Sequence, residues 1–128
     1  MIPGSNKKHP RFKQSFGYAV KGIVFALKTE RNLKIMIVAF VAALILSFVL
    51  GLSPAEICII LVGGGAVLSA ELVNTALEAC VDLVMPRLNE KAGTIKDLAA
   101  GAVLVLSCIM ALVGIVLFGH AIMRILTP

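Results

Sequence analysis

Apolar residues in this chain come in long unbroken runs, and the polar residues gather between the runs. The first run extends from Leu33 to about Leu52 and holds no charge after Lys34. The second spans about Ile57 to Val84 and carries acidic residues in its later half. The third spans about Leu98 to Ile122, with no charge between Asp97 and Arg124. Crossing a hydrocarbon core of about 30 Å takes about 20 helical residues, so the pattern predicts transmembrane helices over 33–52, 57–84 and 98–122. Between the first two, GLSPAE (Gly51 to Glu56) reads as a tight turn. Ser53 is placed to cap the next helix and Pro54 to open its first turn.

Residues 11–30 behave differently. Phe12, Phe16, Val20, Ile23, Val24 and Leu27 recur at three- and four-residue steps among Lys13, Lys21 and Lys28. This predicts a basic amphipathic helix lying in the membrane surface. Residues 1–10, with Pro3, Gly4 and Pro10, read as a loose tail. The first apolar run starts too late, and lacks a small-residue cleavage site, to be a removed signal peptide.

Composition agrees with a membrane domain. The 128 residues are 59% hydrophobic with a mean hydropathy of +1.01, whereas soluble chains sit near 45–50% apolar. The expectation is one all-α integral membrane domain over 1–128. Net charge is +5, but its placement argues against nucleic acid. Eight cations from Lys7 to Lys34 precede or open the first run, and Arg87, Lys91 and Lys96 lie between the second and third. The 51–56 turn has neither Lys nor Arg. By the positive-inside rule the N-terminus and the basic 83–97 loop are cytoplasmic, and the turn is outside.

The candidate chemistry lies in SAELVNTALEACVD, Ser69 to Asp82. On a helix, Glu71, Asn74, Glu78 and Asp82 share one stripe, within about 80° of arc. A carboxylate in a span costs about 2.5–3.5 kcal/mol, so such groups persist where they face protein, water or ligand. Glu30 and Asp97 are expected at the same inner ends, with Lys96 adjacent. Carboxylates at one depth beside cations suit magnesium and a polyphosphate. The alternatives are an ion relay and a polar contact between subunits.

Other motifs carry less. GGGAVLSAE lacks the Lys-Ser/Thr of a phosphate loop. Small residues at 63–66, 69–70, 99–102, 114 and 119 read as close helix packing. Cys58, Cys80 and Cys108 form no CxxC pair and read as buried free thiols. His9 and His120 have no acid near in sequence, and no Ser-His-Asp set is evident.

RFKQSFGYAVKG (11–22), TERN (29–32), ELVNTALEACVD (71–82) and KAGTIKDLAAGAV (91–103) resemble the prokaryotic diacylglycerol kinase family, over about Arg11 to Leu117. TERN, NTALE and AAGAV, with the absence of Trp, look more like its Gram-positive undecaprenol kinase branch. Met36 and Thr94 depart from the family pattern, standing where relatives carry a polar or acidic and a basic residue respectively.

The resemblance implies a fold and roles. The fold would be a surface helix and three transmembrane helices assembled as a homotrimer in a bacterial plasma membrane. Glu71 would be the general base for a lipid hydroxyl, kept usable by solvation or a hydrogen bond from Asn74. Glu30 and Glu78 would bind Mg2+. Arg11, Tyr18, Glu30, Glu78, Asp82, Arg87, Leu88, Asn89, Lys96 and Asp97 would surround ATP. The lipid side would take Arg11, Lys21, Asn32, Lys34, Glu71, Asn74 and Ala100. The implied activity is phosphorylation of undecaprenol by ATP. The alternatives are diacylglycerol as substrate, a small ion channel or transporter, and a non-catalytic assembly protein. A relay would spread ionisable groups through the bilayer depth, and the outer halves of the spans nearly lack them.

Overall fold

The computed structural model describes residues 12–85 and 90–127, and among them every element is helical. In chain order these are α1 (Phe12–Thr29), α2 (Arg31–Val49), α3 (Pro54–Val84) and α4 (Glu90–Leu126). The last three are long and apolar enough to cross a membrane. Most of their large side chains point outward, as lipid-facing helices require.

Local chemistry explains each boundary. α1 stops at Thr29, and Glu30 takes an extended conformation (φ −93°, ψ 117°) as the N-cap of α2 without a side-chain capping bond. The Glu30 carboxylate therefore remains available. Lys34 Nζ donates to the Lys28 carbonyl at 3.3 Å, which puts a cation on the negative end of α1. α2 ends in a Schellman turn: Gly51 N–H donates to the Phe48 carbonyl and Leu52 N–H to the Ser47 carbonyl. Gly51 sits at φ +64°, a left-handed conformation that glycine adopts without a Cβ clash. α3 opens with a capping box. Ser53 Oγ accepts from the Glu56 N–H, while Glu56 Oε2 accepts from the Ser53 N–H at 2.6 Å.

α4 begins at Glu90, eight residues before the apolar run that predicts it. The basic 83–97 segment is thus mostly helix, with α3 reaching Val84. The segment KAGTIKDLAA has good helix formers and no proline, so hydropathy marks the lipid-buried part and misses the wet extension. At 1.5 Å per residue, α3 (31 residues) is about 46 Å long and α4 (37 residues) about 55 Å, well beyond a 30 Å core.

α3 is the central element and packs on both α2 and α4, whereas α2 and α4 meet at most marginally. Two glycines allow the approach. A Cβ at Gly64 would lie 2.3 Å from the Phe40 ring of α2, and one at Gly63 would lie 2.1 Å from Met110 Sδ of α4. Gly65, Gly101 and Gly119 have open space, so only part of the small-residue pattern serves packing within the chain. The core lies toward the α2–α3 turn, where Leu52, Ile60 and Ala121 are buried against Phe40, Leu44 and Leu117. At that end Arg124 Nη2 lies 3.6 Å from Glu56 Oε2, tying α4 to the turn. All three cysteines are free and exposed on the chain, not buried as expected: helix faces without an internal partner take small apolar side chains as readily as a core does.

Candidate active site

The polar end of the bundle follows from helix lengths. α2 has 19 residues, about 28 Å, so an antiparallel partner descending from Pro54 reaches the level of Glu30 near Val73 and Asn74. On the same scale Glu71 stands about 25 Å from Pro54, Asn74 about 30 Å, Glu78 about 36 Å and Asp82 about 42 Å. The stripe therefore runs from inside the hydrocarbon core to its rim.

Glu71 is 4% exposed and Asn74 8%, among the few buried polar side chains. Glu71 interacts electrostatically with Glu78 on its own helix and with Glu30 at the α1–α2 break. Asn74 Nδ2 donates to Glu78 Oε1 at 3.0 Å. The expected bond from Asn74 to Glu71 is absent: on α3 the four-residue step from Asn74 to Glu78 places the two side chains one above the other. Asn74 Oδ1 is buried without a partner, and so is Ser107 Oγ on α4. Buried polar atoms of this kind call for an explanation.

Lys96 Nζ bonds Asp82 Oδ1, which joins the wet ends of α3 and α4. Asp97 is exposed beside Thr94, Leu98 and Gly101 along α4, with no bond to a described residue. Tyr18 and Lys21 are exposed on α1, with Lys21 Nζ 6.0 Å from the Tyr18 ring centre. Asn32, Lys34 and Ala100 are exposed near the same end. Arg11, Arg87, Leu88 and Asn89 lie outside the described residues.

Among the described residues no three His, Cys, Asp or Glu side chains converge at metal-ligand spacing. Glu30 and Glu78 both lie within electrostatic reach of Glu71 without forming such a cluster. Mg2+ characteristically takes one or two carboxylates and completes its shell with water and phosphate oxygens, so this donor set fits it.

Sequence reasoning missed Ser107. Starting from the Asp82–Lys96 pair, eleven residues back along α3 and eleven forward along α4 bring Glu71 and Ser107 to one level. Only that cross-helix pairing distinguishes Ser107 from any other serine in an apolar run.

The fold defines a small multi-pass membrane protein with buried polar side chains on its central span. The chain belongs to the prokaryotic diacylglycerol kinase family, whose model matches residues 17–118, and it is a lipid kinase. It is 41% identical over 108 residues to an undecaprenol kinase of Bacillus subtilis (strain 168), covering 84% of this chain and 88% of that protein. It is 36% identical over 106 residues to a diacylglycerol kinase of Synechocystis sp., covering 82% of this chain and 61% of the relative. A diacylglycerol kinase of Haemophilus influenzae is 30% identical over 105 residues, covering 79% and 87% respectively.

Proposed function

We propose that the chain phosphorylates undecaprenol with ATP at the cytoplasmic membrane face, working as a homotrimer with its N-terminus inside. The observation that carries the reading is Glu71, an acid buried in a membrane helix within electrostatic reach of Glu30 and Glu78.

Each role follows from position. Glu71 sits deepest, where a lipid alcohol reaches it and water does not. It accepts the hydroxyl proton as the oxygen attacks the γ-phosphorus, and the ADP oxygen leaves in line. Asn74 donates to Glu78 and so holds that carboxylate in place. Glu30 and Glu78 would hold Mg2+; when bound it neutralises charge on the β- and γ-phosphates. Lys96 is nearer the water, where nucleotide arrives, and exchanges Asp82 for phosphate oxygens. Asp82, Tyr18 and Asp97 border the nucleotide. The basic residues before α2 and between α3 and α4 support the cytoplasmic placement.

Undecaprenol is favoured because the Bacillus subtilis undecaprenol kinase covers this chain with higher identity than the two diacylglycerol kinases. Those two make diacylglycerol the second reading. A radiolabelled-ATP assay in vesicles, offering each alcohol separately with and without Mg2+, tests both. Label is expected in undecaprenol and to depend on Mg2+. Higher kcat/KM on diacylglycerol would reverse the assignment, and no label in either lipid would remove it.

A further inference from the structure

Two ion pairs tie α4 to α3, one toward each end. Arg124 pairs with Glu56 beside the α2–α3 turn, and Lys96 pairs with Asp82 at the acid-bearing end. From Glu56 to Asp82 is about 39 Å along α3, and from Lys96 to Arg124 about 42 Å along α4. The lengths match, so the antiparallel helices lie side by side between the ties, which straddle a hydrocarbon core of about 30 Å.

The ties are unequal. At the turn end Ala121 is fully buried in one cluster with Leu52 and Ile60, and Phe40, Leu44 and Leu117 pack around it. Ala92 and Val103, the other buried side chains of α4, join no such cluster among the described residues. Glu56 is itself fixed. Its Oε2 accepts from the Ser53 N–H at 2.6 Å and from the Ser53 hydroxyl at 2.7 Å, so Arg124 meets an anchored carboxylate. His120, one turn before Arg124, also lies within electrostatic reach of Glu56. At the other end the pair stands in the open, with the Asp82 side chain 66% exposed. α2 gives α4 little lateral support, because open space of about 560 Å³ lies between them. A rod held at one end turns about that end. Tilting α4 there by about 5° moves Lys96, about 42 Å away, by about 4 Å, more than the reach of a hydrogen bond.

We propose that Ala121 and Arg124 are positioning residues for the nucleotide end of α4. They clasp α4 to the α2–α3 turn and make that end a pivot, so Lys96 swings from Asp82 to phosphate while α4 keeps its register on α3. The inference rests on the nucleotide role given to Lys96 above and extends it to the opposite end of the helix. Both residues lie outside 17–118, the stretch that carries the family match.

The test uses the full chain in phospholipid vesicles, with Cys58, Cys80 and Cys108 replaced by alanine. Spin labels go on Val84→Cys with Leu98→Cys at the acid end, and on Ile59→Cys with Ile125→Cys at the turn end, all exposed positions. Labelled chain is diluted into unlabelled chain, and double electron–electron resonance measures each distance. Adding Mg2+ and a non-hydrolysable ATP analogue should change the Val84–Leu98 distance by at least about 3 Å and leave Ile59–Ile125 unchanged. Without nucleotide, Arg124→Gln should broaden both distributions, and Arg124→Lys should not. Glu56→Gln keeps an acceptor for the Ser53 N–H but loses the charge, so it should match Arg124→Gln, and combining the two should add nothing. Ala121→Leu, too large for a fully buried place, should shift the Val84–Leu98 distance by itself. In turnover Arg124→Gln should raise KM for ATP about two- to fivefold, the scale of a partly exposed ion pair, with kcat and KM for the lipid unchanged. Lower stability with an unchanged KM for ATP would make the clasp merely structural and overturn the proposal. So would a nucleotide response of equal size at both ends, or none at either. The distances need no phosphoryl transfer. A response confined to the Lys96 end, without turnover of undecaprenol or diacylglycerol, would sink the substrate assignment and keep the pivot; turnover with unmoved distances would do the reverse.

Discussion

Replacing three consecutive glycines, Gly63, Gly64 and Gly65, by alanine one at a time makes a graded test of how α3 is held. At Gly64 the new methyl would lie 2.3 and 2.4 Å from Cδ2 and Cε2 of Phe40. An aromatic ring cannot bend away, so α2 must shift or Phe40 must leave its rotamer. Overpacking of that kind costs about 1–3 kcal/mol. At Gly63 the obstacle is the Sδ and Cε end of Met110, 2.1 and 2.3 Å away. A thioether tail re-packs readily, so the expected loss is below about 1 kcal/mol. Gly65 meets nothing within 4 Å. There alanine only removes the helix penalty of glycine, a gain of about 0.5–1 kcal/mol. The order of stability should be Gly65→Ala above wild type, then Gly63→Ala, then Gly64→Ala. Reversible SDS unfolding in mixed micelles, followed by circular dichroism, measures it. Adding Phe40→Leu to Gly64→Ala should recover more stability than the two single changes sum to, a coupling above about 0.5 kcal/mol. Equal stability for Gly64→Ala and Gly65→Ala, or no rescue by Phe40→Leu, would refute the packing of α2 on α3.

Four further outcomes concern the site and its frame. Glu71→Gln should lower turnover at least about a hundredfold with ATP binding retained, as loss of a general base does; weakened ATP binding would count against that role. Glu78→Gln keeps an acceptor for Asn74 but loses a negative ligand, so activity should need more Mg2+; an unchanged magnesium curve removes Glu78 from the metal. Lys96→Met should raise KM for ATP at least about tenfold while changing stability by less than about 1 kcal/mol, since its pair with Asp82 is partly exposed. A stability loss without a KM change would make the pair structural. Ser53→Ala removes one half of the α3 capping box and should cost about 1 kcal/mol in the same SDS titration; no loss would mean that the Gly51 turn alone sets the start of α3.

Much of the fold was legible because it is written in one dimension. An apolar run the length of a bilayer has few alternatives to a helix, since lipid satisfies no backbone polar group. Turn chemistry was equally local: Gly51, Ser53, Pro54 and Glu56 act within a few residues of one another. α4 was foreseen too short because hydropathy reports where lipid is, while helix propensity continues through Glu90–Asp97 into water. That Glu71 and Glu78 share one face of α3 could be read from helical spacing. The electrostatic reach of Glu30 to Glu71 depended on the break at the α1–α2 boundary, and the partner of Asn74 on which acid lay above it.

Three apolar spans, the stripe of acids along the second and the cations flanking them could be read without a fold, because each follows from periodicity and transfer energy along a single segment. Which faces meet came from packing alone: Phe40 lies on Gly64 and Met110 on Gly63, Ser107 stands level with Glu71, and α2 and α4 leave a channel between them. Those outcomes depend on the rotation and register of one helix against another. Small residues permit many such arrangements, and the assembled side chains select one.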